Sequence, residues 1–427
     1  MATSSALNLK APADGGLAIA RVLLLSAIIT VLLSTSVGIA FEFATYIAFA
    51  VLPEPRRRFI EALRQPIVIA LIPFAAVVVI ATFYGPTSWP HALSALSGWR
   101  RLLLLPLAAA VFDDEASKRL LCKVFILACV VAALVSFVTA WQSIPLFNKL
   151  PPGILFHNYA VQGMAQSVAM ILCIAALVRP EFFAGDRLLG DRRIMAVALA
   201  VIVFDVVFVI LGRSGYVSVV VMAVAVVAFL ARGSWRAKAL AGLAVLICGA
   251  VMLVSSPHVR SRFEQGLREI EAVDQAPEAS SLGFRVVFAR NTLRMIHDHP
   301  LLGVGTGGFL DGYIPYAAGV DGWKGWGTGD PHNQFLKILG EQGLIGFAAF
   351  LFFIGRALTC PAPSPYREIA AAALIGWCVT SLANSHFSTF VEGRLIFFWL
   401  GALLTNAWAV TGSVPATPSP HLVAKLE

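Results

Sequence analysis

Apolar runs long enough to cross the ~30 Å hydrocarbon layer of a bilayer recur along almost the whole of this chain, separated by short polar interruptions. They fall near residues 17–35, 37–52, 66–84, 99–112, 119–141, 159–178, 194–211, 216–231, 237–254, 334–355, 367–385 and 393–410. A chain of 427 residues that is 58% hydrophobic and 13% charged has more apolar surface than one soluble core can hide. The pattern predicts an all-α polytopic membrane protein with about twelve transmembrane helices, the fourth being the shortest.

Lys and Arg in the short loops give the orientation. With the N-terminus inside, the inner loops hold Arg56, Arg57, Arg58, Arg64, Lys118, Arg119, Lys123, Arg179, Arg187, Arg192, Arg193, Arg232, Arg236, Lys238, Arg356 and Arg367. The outer loops and their flanks hold only Arg100, Arg101, Lys149, Arg213 and Arg394, so both termini are expected in the cytoplasm. Much of the formal net charge of +8 follows from this bias, and nucleic acid is not an expected partner. The first run lacks a small-residue cleavage site and is expected to be a retained anchor. The six cysteines lie in spans or inner loops, and no structural disulfide is expected.

One outer segment is far longer than a connector needs to be. The chain divides into helices 1–9 over residues 1–254, a polar loop over 255–333, helices 10–12 over 334–410 and a disordered, proline-broken cytoplasmic tail over 411–427. Within the loop, His258 to Ala272 predicts an amphipathic helix with Phe263, Leu267 and Ile270 on one face. A second helix follows the caps Ser280 or Ser281 and runs to His297. The glycines between Gly303 and Gly329, with Trp323 and Trp326 among them, predict irregular backbone.

The polar residues of this outer side suggest chemistry. Asp330 suits an N-cap and Pro331 a first helical position, so His332 is expected in the opening turn of a long helix, followed by Asn333. There the helix dipole disfavours the protonated imidazole, which keeps a neutral base available; a merely capping histidine is the alternative. Arg213 lies in a short turn between two spans, and Arg285 and Arg290 lie on the second loop helix. Converging guanidinium groups offer planar donor forks to phosphate oxygens, although an interfacial Arg also snorkels to lipid headgroups without further function.

Other candidates are weaker. His297 and His299 flank Asp298, but two histidines two residues apart do not share a helical face, and no metal is expected there. His157, Asn158, Gln162 and Gln166 either line a polar cavity or cap and pack a helix, with packing preferred. Of the charges within spans, Lys337 and Glu341 are four apart and are expected to pair, whereas Glu42 and Asp205 have no partner legible in the sequence.

His332, Asn333, Phe335, Leu336, Glu341, Gly343 and Gly346 form a block that resembles the O-antigen ligase family, part of the O-antigen ligase and polymerase superfamily. Arg285 followed by Pro300-Leu301-Leu302-Gly303-Val304-Gly305 matches a second pattern of that family, and Gly212-Arg213 a third, with Gly where many relatives have Ser. The resemblance covers residues 195–355 by motif. It implies a multi-spanning C-type glycosyltransferase fold in the bacterial inner membrane, with the active site facing the periplasm. It also implies a glycan donor on undecaprenyl diphosphate, a lipid A core acceptor, inversion at the anomeric carbon, and no metal or cofactor. His332 would be the essential base, Arg213 and Arg285 the diphosphate ligands, and Arg290, Asp330 and Asn333 possible supports. A polysaccharide polymerase or protein O-oligosaccharyltransferase of the same superfamily shares the His-Asn block. A twelve-span transporter or flippase would instead place paired charges at mid-membrane in two similar halves.

Overall fold

The computed structural model describes residues 15–145, 150–210, 212–231, 233–255, 257–271, 273 and 279–405. The extreme N-terminus, Lys149 and the tail expected to be disordered lie outside the described residues. Every regular element among the described residues is helical. From the N-terminus run α1 (Gly15–Leu33), α2 (Thr35–Val51), α3 (Pro53–Ala62), α4 (Pro66–Ile80), α5 (Trp89–Gly98), α6 (Leu104–Val111) and α7 (Glu115–Gln142). Next come α8 (Tyr159–Val178), α9 (Arg192–Phe204), α10 (Arg213–Leu230) and α11 (Trp235–Ser255). α12 (Pro257–Glu271), α13 (Ser281–Asp298) and α14 (Phe309–Ala317) are followed by α15 (Gln334–Thr359), α16 (Tyr366–Thr380) and α17 (Phe390–Leu404).

Among the described residues six helices, namely α1, α4 with the 3-10 turn that extends it, α7, α8, α10 and α15, are long and apolar enough to cross a membrane. α2 and α3, bent by 95°, make a seventh if they form one broken span. The bend sits at Leu52, whose backbone is extended because Pro53 disfavours a helical residue before it. The described residues are therefore all-helical and consistent with a polytopic membrane protein, although not every apolar run forms one long helix. The fourth run illustrates why: α6 has only eight residues, after a 3-10 segment at Trp99–Leu103. The run near 194–211 likewise leaves the α-helix for a π-helical turn at Asp205–Val209.

α8 and α17 form the centre, both buried along nearly their whole length. α8 crosses α10 where Gly163 meets Gly215; a Cβ on Gly163 would lie 2.7 Å from the Gly215 Cα. Small residues at such a crossing let two backbones touch, which fixes the start of α10 against α8.

The buried charges have partners that sequence spacing does not reveal. Glu42 Oε2 accepts from Arg394 Nε at 2.6 Å and Glu42 Oε1 from Arg100 Nε at 3.1 Å, with the Tyr46 hydroxyl adding a third donor. Arg101 and Arg394, expected to flank outer loops, are both buried. Asp205 Oδ2 accepts from Gln162 Nε2 at 3.3 Å and from Gln166 Nε2 at 3.2 Å, while Gln162 Oε1 caps the amides of Leu155 and Phe156. These two glutamines pack and satisfy, as preferred, and they also answer for Asp205.

α15 is broken at Gly343, whose φ of 62° and ψ of −165° are open to glycine alone. The break frees backbone groups of α15, and the turn after α13 satisfies them. Val304 and Gly305 donate to the carbonyls of Gly340 and Glu341, both at 2.8 Å, while Leu344 and Ile345 donate to those of Pro300 and Leu301. The Gln342 side chain adds a bond to the Thr306 hydroxyl. The Pro-x-x-Gly-x-Gly and Glu-x-Gly-x-x-Gly segments are thus two halves of one joint. α14, between the two glycine clusters expected to be irregular, covers part of it through Phe309, which packs against Lys337.

Candidate active site

Four pieces of chain converge on the site: the start of α10, the end of α12, α13, and the connection from 381 to 389 between α16 and α17. α10 begins at Arg213 with Gly212 as its N-cap. The Arg213 guanidinium is half-buried and pairs with Glu269 on α12, Nη2 to Oε1 at 3.3 Å. The other Glu269 oxygen accepts from the Leu282 amide at 3.0 Å, in the first turn of α13. Burial raises the Glu269 carboxyl, but the Leu282 amide and Arg213 outweigh it and hold the group below its ordinary range.

α13 starts as expected, with the Ser280 hydroxyl accepting from the Gly283 amide. One turn on, Arg285 Nε donates to the Ala383 carbonyl at 2.8 Å, and its Nη1 donates to the carbonyl and hydroxyl of Ser281, both at 2.7 Å. Its Nη2 has no acceptor among the described residues. Burial and the like charge of Arg213 both pull Arg285 down from its ordinary value. Two guanidinium groups close enough to repel make a strong field for an anion.

Arg213 and Arg285 line one cavity of about 650 Å³. Its polar rim includes Gln265, Glu269, Ser280 and Asn384, and its apolar side includes Tyr159, Val217, Leu282 and Val379. Arg290 is exposed on α13 and does not line this cavity.

His332 departs from expectation. α15 begins at Gln334, its N-cap is Asn333 rather than Asp330, and His332 stands before the cap with a left-handed φ of 53°. The cause is Asp330, whose Oδ1 accepts the His332 amide at 2.8 Å and so bends the chain two residues on, in competition with helix initiation. Asn333 then caps, its Oδ1 accepting from the Phe335 and Leu336 amides. The His332 ring stacks on Phe288 of α13, centroids 6.3 Å apart at 21°. One side of His332 stays exposed, yet packing around the ring outweighs Asp330 and, with the charges of Arg285 and Lys337, lowers the imidazole below its ordinary value.

His332 does not line the cavity. The 381–385 segment, of which Ala383 and Asn384 line the cavity, links the histidine turn to it. Asn333 Nδ2 donates to the Leu382 carbonyl at 2.9 Å, the Gln334 amide is shared by the carbonyls of Ser381 and Asn384, and Arg285 holds the carbonyl between them, that of Ala383. Lys337 pairs with Glu341 at 3.3 Å as expected, and also donates to the Gly329 carbonyl.

Sequence reasoning missed this link altogether. The span expected over 367–385 runs five residues past Thr380, where α16 stops, although the polar Ser381, Asn384 and Ser385 mark the break. The far end of the connection is anchored by buried Arg101, whose Nη1 donates to the carbonyls of Thr389 and Phe387.

No curated protein matches the chain. Residues 198–351 match the family model described as O-antigen ligase, a stretch that runs from α9 into α15 and includes Arg213, Arg285 and His332. Over that stretch the chain is similar to the O-antigen ligase family, and the stretch holds both cavity arginines, His332 and the joint described above.

Proposed function

We propose that the protein transfers a glycan from undecaprenyl diphosphate to the lipid A core oligosaccharide at the periplasmic face of the inner membrane. An outward-facing active site has no supply of nucleotide sugars or ATP, so its donor must be carried by the membrane with the leaving group already energised. The acceptor hydroxyl attacks the anomeric carbon from the side opposite the diphosphate, and the sugar–phosphate bond breaks with inversion. Arg213 and Arg285 take up the charge returned to the diphosphate, in place of a divalent cation. His332, held neutral, accepts the hydroxyl proton as the bond forms. Asp330 and Asn333 set the turn that presents it, and Arg290 supports the field from outside the cavity.

The observation that carries this reading is the cavity with two arginines on its wall, together with the 381–385 segment that binds both Arg285 and the turn holding His332. The proposed topology has about twelve crossings with both termini in the cytoplasm, which puts the two cavity arginines and His332 in the outer segment. A polymerase or a protein O-oligosaccharyltransferase would use the same groups. Lipopolysaccharide from a deletion strain separates them: loss of all long chains with an intact core supports the ligase, a single remaining repeat supports the polymerase, and unchanged lipopolysaccharide points to another acceptor.

A further inference from the structure

The connection between α16 and α17 lies outside the segment matched by the family model, yet it holds both Arg285 and the turn that carries His332. One of its side chains reaches the histidine turn directly. Ser385 is 1% exposed, and its hydroxyl donates to Asp330 Oδ1 at 2.6 Å. That oxygen is the one that accepts the His332 amide at 2.8 Å. Ser385 is itself fixed, because its carbonyl accepts the amides of Ser388 and Thr389, both at 2.9 Å. Arg101 braces the same short segment from below.

We propose that Ser385 is a positioning residue for His332, acting through Asp330. The left-handed turn at His332 depends on where Asp330 Oδ1 sits, and a short hydrogen bond from a buried, rigid hydroxyl to a carboxylate fixes that atom. The same bond draws negative charge toward Ser385 and so limits how much of it His332 feels. The charged groups facing His332 are Asp330 on its own turn, Arg285 on α13 and Lys337 on α15, the last paired with Glu341. Weakening the hold on Asp330 therefore has a definite electrostatic sign: the carboxylate acts more strongly on the imidazole, which becomes easier to protonate.

This inference rests on His332 being the base, and the test separates the two claims. Full-length wild type, Ser385→Ala, Ser385→Thr and His332→Ala are purified and assayed with lipid-diphosphate-linked glycan and lipid A core acceptor across pH. Ser385→Ala is expected to lower kcat about tenfold, the scale of one lost charge-assisted hydrogen bond, with donor KM little changed. Its acid limb should move to higher pH, and Ser385→Thr should restore both. Wild-type kcat and pH profile in Ser385→Ala, or a loss that Thr does not rescue and that raises donor KM in parallel, would overturn the proposal. Equal transfer by wild type and His332→Ala would instead overturn the catalytic reading. Independently of activity, the His332 titration midpoint followed by NMR in nanodiscs should rise in Ser385→Ala; an unchanged midpoint defeats the positioning role.

Discussion

The amide of Gly305 donates to the carbonyl of Glu341 over 2.8 Å, joining the turn after α13 to the broken turn of α15. Arg285 lies on α13 and His332 immediately precedes α15, so this joint fixes the two helices on which the proposed chemistry depends. A helix that must bend needs a break whose freed backbone groups are satisfied by protein. In this protein the satisfying groups come from the very turn that ends the arginine helix.

Gly343→Ala tests the joint. A Cβ at Gly343 would lie 2.2 Å from the Leu301 carbonyl oxygen, and the backbone conformation is one that Ala rarely adopts. The strained backbone alone costs about 1–3 kcal/mol. Thermal unfolding of the purified variant in detergent should show a clear loss of stability with reduced transfer; wild-type stability would mean that the turn can relax.

Arg285→Lys keeps the charge and removes the fork. Arg285 spends Nε and Nη1 on Ala383 and Ser281 and turns Nη2 to no described acceptor, whereas a lysine amine cannot hold the wall and face an anion in the same geometry. Transfer should fall by about 10²–10³, as for loss of one preorganised donor to developing charge. Steady-state kinetics with purified donor measures it, and activity within a factor of two of wild type would remove Arg285 from the proposed role.

Transfer should fail in acid. A base must be neutral, so activity is present above the His332 pKa and is lost as pH falls through it; that pKa lies below the ordinary 6.5. The acid limb of kcat/KM should therefore fall below pH 6.5. Asp330→Asn keeps an acceptor for the His332 amide and removes the charge that favours imidazolium, so its limb should move lower still. An upward shift in that variant would contradict a carboxylate at 330 that favours the protonated ring.

Asp205 gives a test within the membrane core. Its Oδ1 and the Oε1 of Gln166 are both buried without a hydrogen-bond partner, so an amide at 205 offers a donor where the carboxylate has only acceptors. Asp205→Asn should be at least as stable as wild type in a thermal melt. Asp205→Ala leaves the Gln166 amide short of one acceptor, while Gln162 keeps Ser136 and Gly153, and should lose about 1–3 kcal/mol. Equal stability of the Asn and Ala variants would show that these bonds matter little.

Local features are legible in the sequence and long-range ones are not. α12 and α13 follow their amphipathic spacing and the Ser280 cap, because both signals act within one or two turns. The pairing of Glu42 with Arg394 joins residues 352 apart, and no spacing rule reaches that far. The place of His332 turns on one local competition, since Asp330 can cap a helix or fold back on its own backbone and does the latter. The end of α16 at Thr380 is marked locally by the polar Ser381, Asn384 and Ser385, but the contacts that make 381–385 part of the site reach to Arg285 and Asp330, beyond any spacing rule.

Transfer in vitro from purified undecaprenyl-diphosphate-linked glycan to purified lipid A core, with wild type beside His332→Ala, tests most directly whether the His332 imidazole is the base. Wild type should form the glycosidic bond while the correctly folded variant forms none above background. Product formed by the variant at the wild-type rate would contradict it.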